Sequence, residues 1–160
     1  DGLRGATLEA SYTDVPQGLA RALIGRARVK LRSRRIEAEQ ADEIVGSKLG
    51  ENGQASGRHL LANIHPADRV TFKNIDLADT AAVTCRVATA TNVVIEFRDG
   101  SASGELLASV EVKPTGGWNQ WAEVSSPLKA PNHRANVCLA FSGATTNRLL
   151  NLDWVQFNPR

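Results

Sequence analysis

The chain has 160 residues, 42% hydrophobic and 22% charged, a balance that suits one folded domain and excludes a wholly disordered or fibrous chain. No apolar run approaches the roughly 18 to 20 residues that a membrane-spanning helix needs, so no membrane partner is expected. The net charge of +2 conceals a division: residues 1–35 carry eight basic side chains against three acidic ones, which leaves residues 36–160 at −3. A mildly acidic body without a basic stripe does not suit nucleic acid.

There is no methionine. A chain that opens Asp-Gly-Leu, with no charged-then-apolar leader, is expected to be a mature or excised piece of something longer. Residues 1–35 read as a linker or the end of a preceding domain. Within them Leu19, Leu23 and Ile24 recur at helical spacing. Ala27, Val29 and Leu31 then alternate with Arg28, Lys30 and Arg32 at the strand period, which predicts a short helix followed by a strand. The Arg32-Ser33-Arg34-Arg35 cluster reads as an exposed basic strand end or interdomain joint.

From Ile36 the pattern changes to short alternating runs separated by Gly, Asn, Asp, Ser and Pro. Strands are predicted at 36–39, 69–75, 82–89, 92–97, 105–112, 120–124, 136–141 and 149–157. Eight such runs predict an all-β sandwich of jelly-roll type. No Gly-x-Gly-x-x-Gly, phosphate-binding loop or Gly-x-Ser-x-Gly elbow occurs, and His59, His65 and His133 lack zinc-site spacing. The residues favour a binding module over an enzyme. Cys85 and Cys138 each lie in a strand-like run, as buried thiols or as one disulfide at most.

Four residues carry candidate chemistry. Glu37 and Glu39, two apart in a predicted strand, project from one face about 6.5 to 7 Å apart at the backbone. They suit an exposed strand face, a hard-cation site or an acid/base couple. Asp153 lies in a mostly apolar run and needs a partner there: a cation shared with Glu37 and Glu39, or Arg86, or backbone N–H groups. Trp118 follows Thr115-Gly116-Gly117, a turn that makes it either a platform for a sugar ring or a cover over the end of the core. Trp121 and Trp154 read as core.

Ile36-Glu37-Ala38-Glu39, Arg86-Val87-Ala88, Thr115-Gly116-Gly117-Trp118-Asn119-Gln120-Trp121 and Asn151-Leu152-Asp153-Trp154-Val155-Gln156-Phe157 occur in that order. Together they make residues 36–158 resemble the family 6 carbohydrate-binding modules. The resemblance implies a secreted, non-catalytic jelly roll, residues 36–160, that brings an attached glycoside hydrolase to a plant or algal polysaccharide. Its partners would be that polysaccharide or an oligosaccharide and the catalytic domain of the parent enzyme. It implies a structural calcium at Glu37, Glu39 and Asp153, and a sugar site in which Trp118 is a stacking platform and Asn151 a hydrogen-bonding group. Many members close that site with a second aromatic. Here the corresponding stretch reads Ala67-Asp68-Arg69, with Asn63 at the platform position, where it is expected to donate to a sugar hydroxyl. The missing aromatic also admits a different outcome, a β-sandwich that no longer binds sugar and packs on a catalytic domain.

Overall fold

The structure, a computed structural model, describes residues 6–15, 21–129 and 133–160. It divides into two compact units, residues 3–33 and the body from Arg34 to Arg160.

The first unit is a two-stranded antiparallel ribbon, β1 (Ala6–Thr13) against β2 (Ile24–Leu31). Its register places Leu8 opposite Val29 and Glu9 opposite Arg28, so apolar and charged pairs alternate along it. The Glu9 and Arg28 side chains close an ion pair at 3.1 Å. The helix expected around Leu19, Leu23 and Ile24 is not formed where the chain is described: residues 21–23 are irregular and Ile24 opens β2. Leu19 lies outside the described residues. Cross-strand pairing overrides the helical spacing, because Ile24 and the alternation that follows it have a partner strand in β1.

In the second unit the alternating runs fold into two facing antiparallel sheets. One has the order β10 (Leu106–Val112), β9 (Val93–Asp99), β12 (Arg134–Gly143), β7 (Arg69–Asp76), β4 (Glu43–Val45). The other runs β11 (Ala122–Pro127), β8 (Thr80–Ala88), β13 (Leu150–Pro159), β6 (His59–Ile64), β5 (Lys48–Glu51). The short β3 (Arg35–Glu37) pairs with β13 beyond the end of β6. Inward positions of both sheets form the core: Val83, Cys85 and Val87 of β8 and Leu152, Val155 and Phe157 of β13 face Phe72, Ile95, Phe97, Val137 and Leu139. Phe97 and Phe157 join the sheets edge to face, with ring centroids 6.4 Å apart. This is the jelly roll expected.

In this second unit three strands escaped the pattern. β4 and β5 are three and four residues long, too brief to show a period. In β6 the alternation breaks at Asn63, whose φ is +57°. Cys85 and Cys138 are both unbonded and buried. They belong to different sheets, and Cys138 falls between the inward Val137 and Leu139, on the opposite side of its strand. Of the tryptophans, Trp154 is buried as expected, whereas Trp121 is only partly so.

Phe157→Ala removes the inter-sheet aromatic contact from a fully enclosed site. The expected cost is about 3 to 5 kcal/mol of folding free energy, read from urea unfolding. A loss below about 1 kcal/mol contradicts this account of the core.

Candidate functional site

The site follows from how β13 is paired. Its partner β6 carries an extra residue: Leu150 faces Ile64 and Leu152 faces Leu61, so Ala62 and Asn63 together oppose Asn151. Such a bulge needs one residue outside the β region. Asn63, with its left-handed φ, supplies it, a conformation asparagine tolerates better than most residues. The Asn63 side chain is exposed, while its backbone N–H donates to Asn151 Oδ1 at 3.2 Å.

Asn151 itself is only 4% exposed. Its Oδ1 accepts a second hydrogen bond from Arg148 Nη2 at 2.8 Å, and its Nδ2 donates to the Trp118 carbonyl at 2.9 Å. A carboxamide has two donor hydrogens and two acceptor lone pairs. Both lone pairs are therefore occupied, and one Nδ2 hydrogen has no partner among the described residues. Asn151 works chiefly by tying three segments together.

Trp118 is presented by a turn that its sequence requires. Gly116 and Gly117 have φ values of +104° and +148°, a conformation closed to side chains of ordinary size. Thr115 fixes the base of that turn, its Oγ1 accepting from Thr89 N at 2.9 Å and donating to Thr89 O at 3.0 Å. The indole is partly buried, and the Arg148 guanidinium lies over its ring 4.0 Å from the centroid. Arg148 was not among the residues singled out in the sequence. A lone arginine in a polar loop has no periodic signal, and only the meeting of loops 113–121 and 144–149 reveals its place. Burial pulls its affinity for a proton down. The next residue anchors the loop, as Leu149 N donates to Ile64 O at 2.7 Å and Leu149 O accepts from Thr89 Oγ1 at 2.6 Å.

The second cluster surrounds Asp153. In β13, Leu152 faces Val87 and Trp154 faces Arg86, which leaves Asp153 as the extra residue of another bulge. It is fully enclosed. Its carboxylate accepts from Ser56 N at 2.9 Å and is paired with Arg86, two of the solutions its buried charge called for. Ser56 Oγ also donates to Glu37 Oε1 at 3.1 Å, and Arg35 Nη2 lies 3.5 Å from the same oxygen. Glu37 ends its strand, and residues Ala38–Gln40 turn into a short 3-10 helix. Glu39 is therefore not on the same strand face as Glu37, as alternation predicted. The turn nevertheless keeps the two carboxylates and Asp153 close enough to repel one another: burial first, then the charges of Glu37 and Asp153, push the Glu39 carboxyl above its ordinary value. Burial likewise raises Asp153, against the opposing effect of Ser56 N–H and Arg86.

Glu37 Oε2 and Glu39 Oε2 are buried without any hydrogen-bond donor. Buried anionic oxygens in that state are costly, and a hard cation with oxygen preference is the group that would relieve them. The residues fit calcium on that ground. Among the described residues, no three of His, Cys, Asp or Glu close into a ready ligand cage, and Arg86 lies against Asp153.

A jelly roll of this strand order belongs, by fold, with the carbohydrate-binding β-sandwiches. The family model for carbohydrate binding module (family 6) matches residues 37–159, and the chain belongs to that family. It is 36% identical over 131 residues to an arabinoxylan arabinofuranohydrolase of Paenibacillus polymyxa, covering 78% of this chain and 20% of that protein. With the endo-1,4-beta-xylanase A of Thermoclostridium stercorarium it shares 34% identity over 124 residues, 77% of this chain and 23% of that one. The chain thus spans less than a quarter of the length of these curated relatives. Among solved structures, a family 6 module from Clostridium stercorarium in complex with cellobiose superposes with a TM-score of 0.70 at 30% identity, over 81% of this chain and 97% of that one. A β-1,3-glucan-binding family 6 module from Bacillus halodurans gives 0.72 at 31%, over 79% and 96%.

The raised carboxyl of Glu39 has a consequence for stability. Between its unfolded and folded pKa values the folded chain holds more protons than the unfolded one, so this group makes stability fall as pH rises through that window. In EDTA, Glu39→Gln should gain on the unsubstituted chain as pH is raised from about 4 to about 7, read as the difference between urea midpoints. A constant difference contradicts the burial assigned to Glu39.

Proposed function

We propose that this module carries an attached glycoside hydrolase to a plant or algal polysaccharide outside the cell, holding one pyranose ring against Trp118. The observation that carries the reading is Trp118 itself. It is set by a diglycine turn at the loop end of the sandwich and fixed through its carbonyl by Asn151. An indole face suits the CH face of a sugar, because burying apolar area there carries no polar penalty. Asn151 offers its one remaining N–H to a hydroxyl, and the exposed Asn63 side chain stands beside it on the bulge. Xylan and β-glucan are the first polymers to try, given the xylanase and arabinofuranohydrolase relatives and the cellobiose and β-1,3-glucan neighbours.

Affinity electrophoresis through gels of xylan, β-glucan, agarose and mannan tests this. Retardation by at least one polymer is expected, with about a tenfold weakening in Trp118→Ala, in line with roughly 1 to 3 kcal/mol for an aromatic stack. No retardation by any gel, or retardation unchanged by the substitution, removes the site from the loop end.

A structural calcium held by Glu37 and Glu39, with Asp153 as the third carboxylate, is the second part of the reading. The two buried oxygens without donors support it. Bound there, the ion would supply positive charge that cancels their repulsion and fasten β3 to β13. Because it would bind the folded chain alone, calcium should raise the thermal midpoint by several degrees over EDTA. An unchanged midpoint counts against the ion.

A further inference from the structure

Three arginines stack on tryptophans: Arg35 on Trp154, Arg86 on Trp121 and Arg148 on Trp118. Two of them also have a carboxylate, Arg35 with Glu37 and Arg86 with Asp153. Arg148 has none among the described residues. Its protein partners are the indole face and the neutral Asn151 oxygen, and its Nε is buried without an acceptor. A partly dehydrated guanidinium in this state lacks the anion that its geometry suits, and it stands on the residue assigned to sugar stacking.

We propose that Arg148 makes the loop site selective for acidic glycans, pairing with the carboxylate of a uronic acid residue or side group. The inference rests on the Trp118 reading and adds the substrate class to it. The planar fork of a guanidinium matches a carboxylate bidentately, and Asn151 fixes the fork in orientation through Nη2. The Nη1 end has no protein partner among the described residues and is the end offered to the ligand. Arg148 also takes one face of the indole. Beside the indole this chain has an exposed asparagine and a cation, so recognition is a stack plus a charge.

Titration calorimetry on the 160-residue chain tests this with three probes: a xylo-oligosaccharide bearing glucuronic acid, the same oligosaccharide unsubstituted, and a sulfated galacto-oligosaccharide. The glucuronic acid probe should bind about tenfold more tightly than the neutral one, and the advantage should shrink as salt rises from 50 mM to 500 mM. Arg148→Gln should bring the acidic-to-neutral affinity ratio to about one. Arg148→Lys, which keeps the charge and loses the fork, should leave an intermediate ratio, and a thermal midpoint for each variant shows that it is folded. Equal affinity of the unsubstituted chain for acidic and neutral probes overturns the proposal. So does a ratio unaffected by Arg148→Gln. A sulfated probe that outcompetes the glucuronic acid probe overturns the carboxylate assignment. Loss of all binding in the unsubstituted chain, or full binding in Trp118→Ala, removes the platform reading itself, a result distinct from loss of the ratio alone.

Discussion

Strand β13 is the constraint on which the rest of the structure depends. It pairs with β8 along its whole length, and on its other edge it serves β6 first and β3 afterwards. A strand shared in this way cannot keep one uninterrupted register with every neighbour. The mismatch is absorbed in register shifts along β13, and two of them become chemically useful positions. At one, Asn63 and Ala62 crowd opposite Asn151; at the other, Asp153 is the surplus residue. A bulge turns side chains from their alternating directions, and here it buries Asn151 and Asp153 in a strand whose neighbours Leu150, Leu152 and Trp154 are apolar.

The polar groups so buried have to be satisfied, and this chain does so with arginine on tryptophan. The guanidinium is weakly hydrated and flat, so it covers an indole while keeping its edges for hydrogen bonds. Arg86 spends its edges on Asp153 and on the Gln54 carbonyl, which draws the loop before β6 toward Trp121. Arg35 reaches Ser56 and Glu37 in the same region. The two acidic and basic sets interlock through Ser56, whose N–H and hydroxyl serve both Asp153 and Glu37. The loop-end cluster repeats this chemistry, with Arg148 on Trp118 and Asn151 in place of a carboxylate.

Much of the fold was legible because an antiparallel sandwich writes a period of two into its strands. The long strands β7 to β10, β12 and β13 show it plainly, and the four motifs in order were enough to mark the family. The fold was unreadable where that period was broken or too short. Glu37 and Glu39 look like neighbours on one strand face, yet the chain leaves the strand at Glu37 and a 3-10 turn carries Glu39. Asn63 was reachable only as a position where an aromatic was absent; its backbone role in the bulge has no sequence signature. Arg148 sits among turn residues, and its contact with Trp118 is a property of two loops brought together. Trp121, taken for core, sits at the sheet's outer side under Arg86, a distinction that hydrophobicity alone does not make.

The two unbonded cysteines give the sandwich a built-in reporter. Cys85 is fully enclosed, its thiol pushed up by burial so that almost no thiolate exists in the closed fold. A thiol in that condition meets an alkylating reagent only when the sheets part. The rate at which Cys85 is modified is then a clock for opening of the core.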